Sequence, residues 1–154
     1  MNAFRAKPLT FPWPPLFYGL AILTALVLDR VSPLPCICGP MTWIAGGLLA
    51  MGSILLGLWT AKTLVESETV ITYRRATHLV TRGPFRYTRN PTYLCYTLLT
   101  VTFGLVTGNL WFFAAAAAAA AVTTAVVIHR EEMHLLSRFG FEFEHYCKRT
   151  RRWV

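Results

Sequence analysis

The chain has 154 residues, of which 55% are hydrophobic and only 14% charged, with a formal net charge of +8. That length holds one domain, and the composition is too apolar for an ordinary soluble domain of this size, so the chain reads as a membrane protein. The basic excess does not point to nucleic acid, because the cations sort by loop. Of the fifteen Lys and Arg, Arg5 and Lys7 precede the first apolar stretch, six lie between Lys62 and Arg89, six lie between Arg130 and Arg152, and Arg30 alone falls in the other loops. This asymmetry is the positive-inside pattern; it predicts both termini in the cytosol and attraction to anionic headgroups.

Four stretches without a charged side chain carry the hydrophobicity: residues 11–28, 41–61, 93–106 and 110–128. The first enters through Pro12, Pro14 and Pro15 with Trp13 at headgroup level, and ends at Asp29-Arg30 without a small-residue cleavage site. It is therefore expected to remain as a span rather than be removed as a signal. A Pro- and Gly-rich outer connection, 32–40, carries Cys36 and Cys38; Cys-x-Cys without a neighbouring His or second pair predicts small apolar residues rather than a metal site or a disulfide framework. The second helix contains Gly46, Gly47, Gly52 and Gly57, spaced to let another helix approach closely.

Residues 62–91 form a polar stretch too long for a turn and too aromatic for disorder, which marks a functional loop. The third apolar stretch has only fourteen residues and is expected to start inside the interface. A turn at 107–109 leads into the fourth, whose eight consecutive alanines, 114–121, favour a thin helix that makes a tight hairpin with the third. Against the glycine-bearing second helix, that thin face is expected to leave a groove for a lipid tail. Residues 129–148 alternate Met133, Leu136, Phe139 and Phe143 with acids and Arg138, as a cytosolic amphipathic helix does, and Gly140 should interrupt it. A basic tail with an interfacial Trp153 follows. The predicted fold is all-α and polytopic, with about four transmembrane helices. It forms a single domain, 1–154, divided into two first helices (1–61) and a loop, hairpin and C-terminal helix (62–154).

A hairpin returns the chain to the side it left, so Arg89-Asn-Pro-Thr-Tyr93 and His129-Arg-Glu-Glu132 are expected to meet. Adjacent acids at a membrane boundary are costly unless they find cations or water. The histidines show no grouping with metal-ligand spacing, and no metal is predicted.

The string Leu79-Val-Thr-x-Gly-Pro-Phe-Arg-Tyr-Thr-Arg-Asn-Pro-Thr-Tyr-Leu94 resembles the signature of the isoprenylcysteine carboxyl methyltransferase and phospholipid methyltransferase family. Glu131-Glu-x-x-Leu-x-x-x-Phe-Gly-x-Glu-Phe-x-x-Tyr146, with residues 149–153 behind it, looks like that family's C-terminal block. The resemblance implies a methyltransferase that uses S-adenosylmethionine and a lipophilic acceptor, a carboxylate of the isoprenylcysteine kind or a lipid amine. It implies Arg89 and Glu132 as catalytic residues. It implies cofactor contacts from Thr77, His78, Leu79, Val80, Gly83, Phe85, Tyr87, Asn90, Pro91, Thr92, Tyr93 and Glu131, and acceptor contacts from Arg130 and Cys95. A sulfonium suits carboxylate and aromatic neighbours, and the cofactor's carboxylate suits an Arg or the free N–H groups at a helix start. Three positions depart from the pattern: Asn90 stands for the usual His, Cys95 adds bulk where a Gly is usual, and Val127 occupies the place of an Arg found in the prenylcysteine branch. An NADPH-dependent membrane reductase and a non-catalytic membrane scaffold are the alternative readings.

Overall fold

The computed structural model describes residues 13–36, 39–67 and 78–154. The leader, Cys38 and Thr77 lie outside the described residues. Helix α1 spans Trp13–Val31 and α2 spans Pro40–Glu66. A short 3-10 turn, Gly83–Arg86, precedes α3, Pro91–Thr107. Helix α4, Trp111–Thr123, runs through a π-helical turn, Thr124–Ile128, into α5, His129–Phe139, and α6 follows at Phe141–Arg149. Three helical stretches are long and apolar enough to cross a membrane: Pro14–Val31, Pro40–Glu66 and Trp111–Phe139. With the shorter apolar α3, they make the polytopic all-α membrane protein that the sequence predicts. At 17 residues α3 is about 26 Å long, less than the roughly 30 Å hydrocarbon core.

Packing between the helices follows the small residues. Gly46, Ser53 and Thr60, spaced by seven, are buried on the face of α2 that meets α3. A Cβ at Gly46 would lie 2.7 Å from Val106 Cγ2, and one at Gly57 would lie 3.1 Å from Cys95 Sγ. Cys95 also donates to the Ser53 carbonyl at 3.1 Å, so it belongs to this seam. Gly47 and Gly52 face open space instead, among the exposed Trp43, Ile44, Leu48, Met51 and Leu55 that would meet lipid. Only half of the glycines therefore serve the close approach expected of all of them.

Helix α4 packs on α3 and α1 rather than against α2. The connection from α3 is short, with Gly108 in a left-handed conformation (φ 69°) and Asn109 Oδ1 accepting from Trp111 N at 2.8 Å. It lays α4 directly beside α3, where a Cβ at Gly104 would come within 3.1 Å of Phe112 Cβ. Ala116 and Ala119 are buried in this packing, while Ala117 and Ala118 are exposed. The expected groove between the alanine helix and α2 is thus not formed, because α3 stands between them. Helix α1 closes the other side: Tyr18 Oη lies 2.6 Å from Thr97 Oγ1, and Trp111 Nε1 donates to the Ser32 carbonyl at 2.9 Å.

Two further expectations change. Cys36 is exposed and disulfide-bonded, so it is not an apolar filler. Trp153 is more than the interfacial residue expected: it packs against the core formed by Tyr93, Val127 and Ile128, and its Nε1 donates to Thr124 Oγ1 at 3.2 Å.

The seam predicts an asymmetry between adjacent glycines. Gly46→Leu should destabilise the protein by about 1 to 3 kcal/mol through overpacking against α3, whereas Gly47→Ala should be neutral or slightly stabilising. Unfolding in a mild detergent, followed by circular dichroism, measures both.

Candidate active site

The site gathers where α3 begins and α4 passes into α5. Gly83 has φ +62°, and a Cβ there would sit 2.6 Å from Thr63 Oγ1, so a residue without a side chain is needed to bring the turn onto the end of α2. The same turn is tied to α6, because Tyr146 Oη donates to the Phe85 carbonyl at 2.6 Å. Burial pushes the Tyr146 phenol up, which keeps its proton in place as the donor. Pro91 then opens α3, where its missing N–H costs no helical bond.

On the other side, the π turn sets the direction of α5. Widening one turn rotates everything after it relative to a regular helix. It places Val127 and Ile128 against Tyr93, with 1% and 0% exposure, and carries Glu131 and Glu132 to the start of α3. Tyr93 Oη donates to Glu131 Oε1 at 2.6 Å. Arg89 Nη2 lies 3.1 Å from Glu132 Oε1, with side-chain exposures of 15% and 16%. The second cation comes from the segment after α6: Arg152 holds Glu132 with both ends of its fork, Nε to Oε1 at 3.0 Å and Nη2 to Oε2 at 2.5 Å. The hydrogen bonds that Arg152 donates to Glu132, together with that carboxylate's charge, hold Arg152 above its usual pKa, so it stays cationic.

The segment after α6 is itself fastened to the start of α3. Thr88 and Arg151 form an isolated parallel bridge, and Arg89 N donates to the Arg151 carbonyl at 3.0 Å. The Arg152 carbonyl accepts from Asn90 Nδ2 at 2.9 Å and from Thr88 Oγ1 at 3.3 Å. Asn90, in the place of the usual His, thus supplies a donor that an imidazole N–H would also supply.

The structure brings together Arg89, Asn90, Pro91, Tyr93, Glu131 and Glu132, with Gly83 and Phe85 one turn away. Leu79 and Val80 are half-buried, His78 is exposed, and Thr92 is half-buried on α3. Tyr87 is 66% exposed, its ring 6.3 Å from that of Trp59. Two expected acceptor contacts do not join the cluster: Arg130 is exposed, and Cys95 is turned into the α2–α3 seam. The reason is angular. Two residues along a helix are about 200° apart, so the seam takes Cys95 while Tyr93 takes the site. Thr88, Tyr146, Arg152 and Trp153 lie in or just behind the two motifs, yet the resemblance gives them no site role; for Arg152, a single Arg in a basic run has no spacing that distinguishes it. Among the described residues there is no group of three or more His, Cys, Asp or Glu that could hold a metal.

The two motifs thus meet on a mostly buried ion-pair network where the helical hairpin closes. The chain matches the family model described as phospholipid methyltransferase over residues 41–142, and it belongs to that family. It is also 38% identical, over 109 residues, to the nickel-cobalt-cadmium resistance protein NccN of Alcaligenes xylosoxydans xylosoxydans; the match covers 71% of this chain and 50% of that protein. The chain thus spans about half the length of this curated relative. No solved structure matches it.

Because Glu132 answers two cations, Glu132→Ala should cost about 2 to 3 kcal/mol of stability by leaving mostly buried Arg89 uncompensated. Glu131→Gln, which retains an acceptor for Tyr93, should cost about 1 kcal/mol or less. Denaturant titration in detergent distinguishes the two.

Proposed function

We propose that the protein transfers a methyl group from S-adenosylmethionine to a lipophilic acceptor at the cluster around Arg89 and Glu132. The observation that carries this reading is the convergence of the family's two motifs, Tyr93 on Glu131 at 2.6 Å and Arg89 on Glu132 at 3.1 Å. Residues 1–154 would act as one domain, with α1 and α2 as its membrane support.

The residues present fit the cofactor. Arg89 Nε is buried and without a hydrogen-bond partner among the described residues, which leaves a guanidinium N–H for a carboxylate. The first N–H groups of α3 suit the same group. Glu131 and the Tyr93 and Phe85 rings suit a sulfonium. Thr77, His78, Leu79 and Val80 would approach the adenosyl part, and Gly83, Asn90, Pro91 and Thr92 would shape the backbone against it. When bound, the cofactor supplies an electrophilic methyl group. The chain's part is to orient the partners in line and to keep water out, which needs no nucleophilic triad. A carboxylate acceptor is already ionised and needs no base, and Arg130, exposed and outside the cluster, would have to turn toward it to pair with it. An amine acceptor must lose a proton first, and Glu131, held by a phenol rather than a guanidinium, is the carboxylate available to take it.

The short α3 supports a first turn at or below headgroup level, so the acceptor would arrive from the bilayer and the cofactor from water. Since the alanine face is committed to α1 and α3, lateral entry rests on the length of α3 and not on a groove beside α2. The loop charges support a site on the cytosolic side.

Purified protein should transfer labelled methyl from S-adenosylmethionine to a component of a total lipid extract. Arg89→Ala, Glu131→Gln and Glu132→Gln should each weaken S-adenosylhomocysteine binding by about 1 to 3 kcal/mol in calorimetry. Binding of NADPH in place of S-adenosylhomocysteine would favour a reductase, and binding of neither a scaffold. For sidedness, an impermeant thiol reagent on intact cells should reach Cys36 after reduction and Cys147 only after permeabilisation. A tailed acceptor should outcompete its truncated analogue by about 0.8 kcal/mol per buried methylene.

A further inference from the structure

We propose that Arg152 is a positioning residue: the segment after α6 is strapped to the start of α3 so that the Arg152 fork fixes Glu132, and through it Arg89, in the geometry the cofactor meets. This rests on the methyltransferase reading and goes beyond it, since it assigns a role to a residue behind the second motif to which the resemblance gives none. Arg152 is held at both of its ends. Its carbonyl accepts from Asn90 Nδ2 and Thr88 Oγ1, and its guanidinium takes both oxygens of Glu132. Its neighbours on each side are fixed as well, Arg151 by Arg89 N and Trp153 by Thr124 Oγ1 in the π turn. The strap therefore touches both halves of the site, the approach to α3 and the turn that aims α5.

The arrangement divides labour between the two arginines. Arg152 uses Nε and Nη2 on Glu132 in a bidentate pair, whereas Arg89 reaches the same carboxylate through Nη2 and keeps Nε buried without a partner among the described residues. Had Glu132 only Arg89 to answer, that guanidinium would be free to turn its whole fork onto the carboxylate, the preferred geometry for such a pair. With both Glu132 oxygens engaged by Arg152, Arg89 is left with an N–H to offer an incoming anion. The strap also accounts for Asn90: the position requires a donor toward the Arg152 carbonyl, and an amide or an imidazole N–H supplies one.

The test uses Arg152→Lys, which keeps the charge and loses the fork, beside Arg149→Gln as an exposed basic control. Melting midpoint, S-adenosylhomocysteine affinity by calorimetry, and kcat and KM on the lipid extract are read for each. Arg152→Lys should lose roughly ten- to a hundredfold in affinity with its melting midpoint close to that of the wild type. Adding Glu132→Gln to it should cause little further loss, since the two act on one element. Asn90→His should retain affinity and Asn90→Leu should lose it. Unchanged affinity and turnover in Arg152→Lys, or a loss that tracks the melting midpoint across all variants, overturns the positioning role while leaving the methyltransferase reading in place. A wild-type protein that binds no S-adenosylhomocysteine overturns both.

Discussion

A carboxylate one turn beyond an apolar helix has to be answered by cations or by water, and in this protein Glu132 is answered by two guanidiniums from different parts of the chain. Arg89 comes from the approach to α3, Arg152 from the segment after α6, and Glu132 itself from α5. Each of these segments has other fastenings, but the ion pairs are where all three meet. Desolvating three charges is costly, and geometry decides whether mutual attraction offsets it. Here the geometry is supported by a backbone bond from Arg89 to Arg151 and by side-chain bonds from Thr88 and Asn90 to the Arg152 carbonyl, which bring the two guanidiniums to the same carboxylate.

That meeting depends on helix direction. A short turn at Gly108 and Asn109 forces α4 to lie along α3, and the small seam of α2 takes the opposite face of α3. Tyr93 and Cys95, two residues apart, are consequently sent to different neighbours, one to Glu131 and one to the Ser53 carbonyl. The π turn adds the remaining adjustment. It lets Val127 and Ile128 fill the space beside Tyr93 while Glu131 meets the Tyr93 hydroxyl and Glu132 meets Arg89. Val127 at 1% exposure also shows why an Arg at this position, as in the prenylcysteine branch, would need a different local packing. The departure at Val127 and the exposed Arg130 together weigh against an acceptor carboxylate being gripped as it is in that branch.

Membership of the phospholipid methyltransferase family and the cluster at the hairpin end bear on different questions. The family gives the reaction class, while the cluster suggests which side chains carry it. The relative named for nickel, cobalt and cadmium resistance shares the matched region with this chain over half of its own length, so its name describes a larger protein than the region compared.

Much of this was determined by sequence because it depends on local chemistry. Apolar length made the spans, glycine conformation placed the breaks at Gly108 and Gly140, and the return of a hairpin put Arg89 and Tyr93 near Glu131 and Glu132. Other features were decided only by tertiary structure. Which glycines of α2 lie in a seam depends on where α3 sits, and Gly46 and Gly47 differ by one residue and about 100°. The widened turn at Thr124–Ile128 has no signature among alanines, valines and threonines that all suit a regular helix. Arg152 was one cation in a basic run, and Trp153 one more aromatic near a boundary. Their partners, Glu132 and Thr124, lie 20 and 29 residues away, and no periodicity relates positions brought together by a strap rather than by a helix or a sheet.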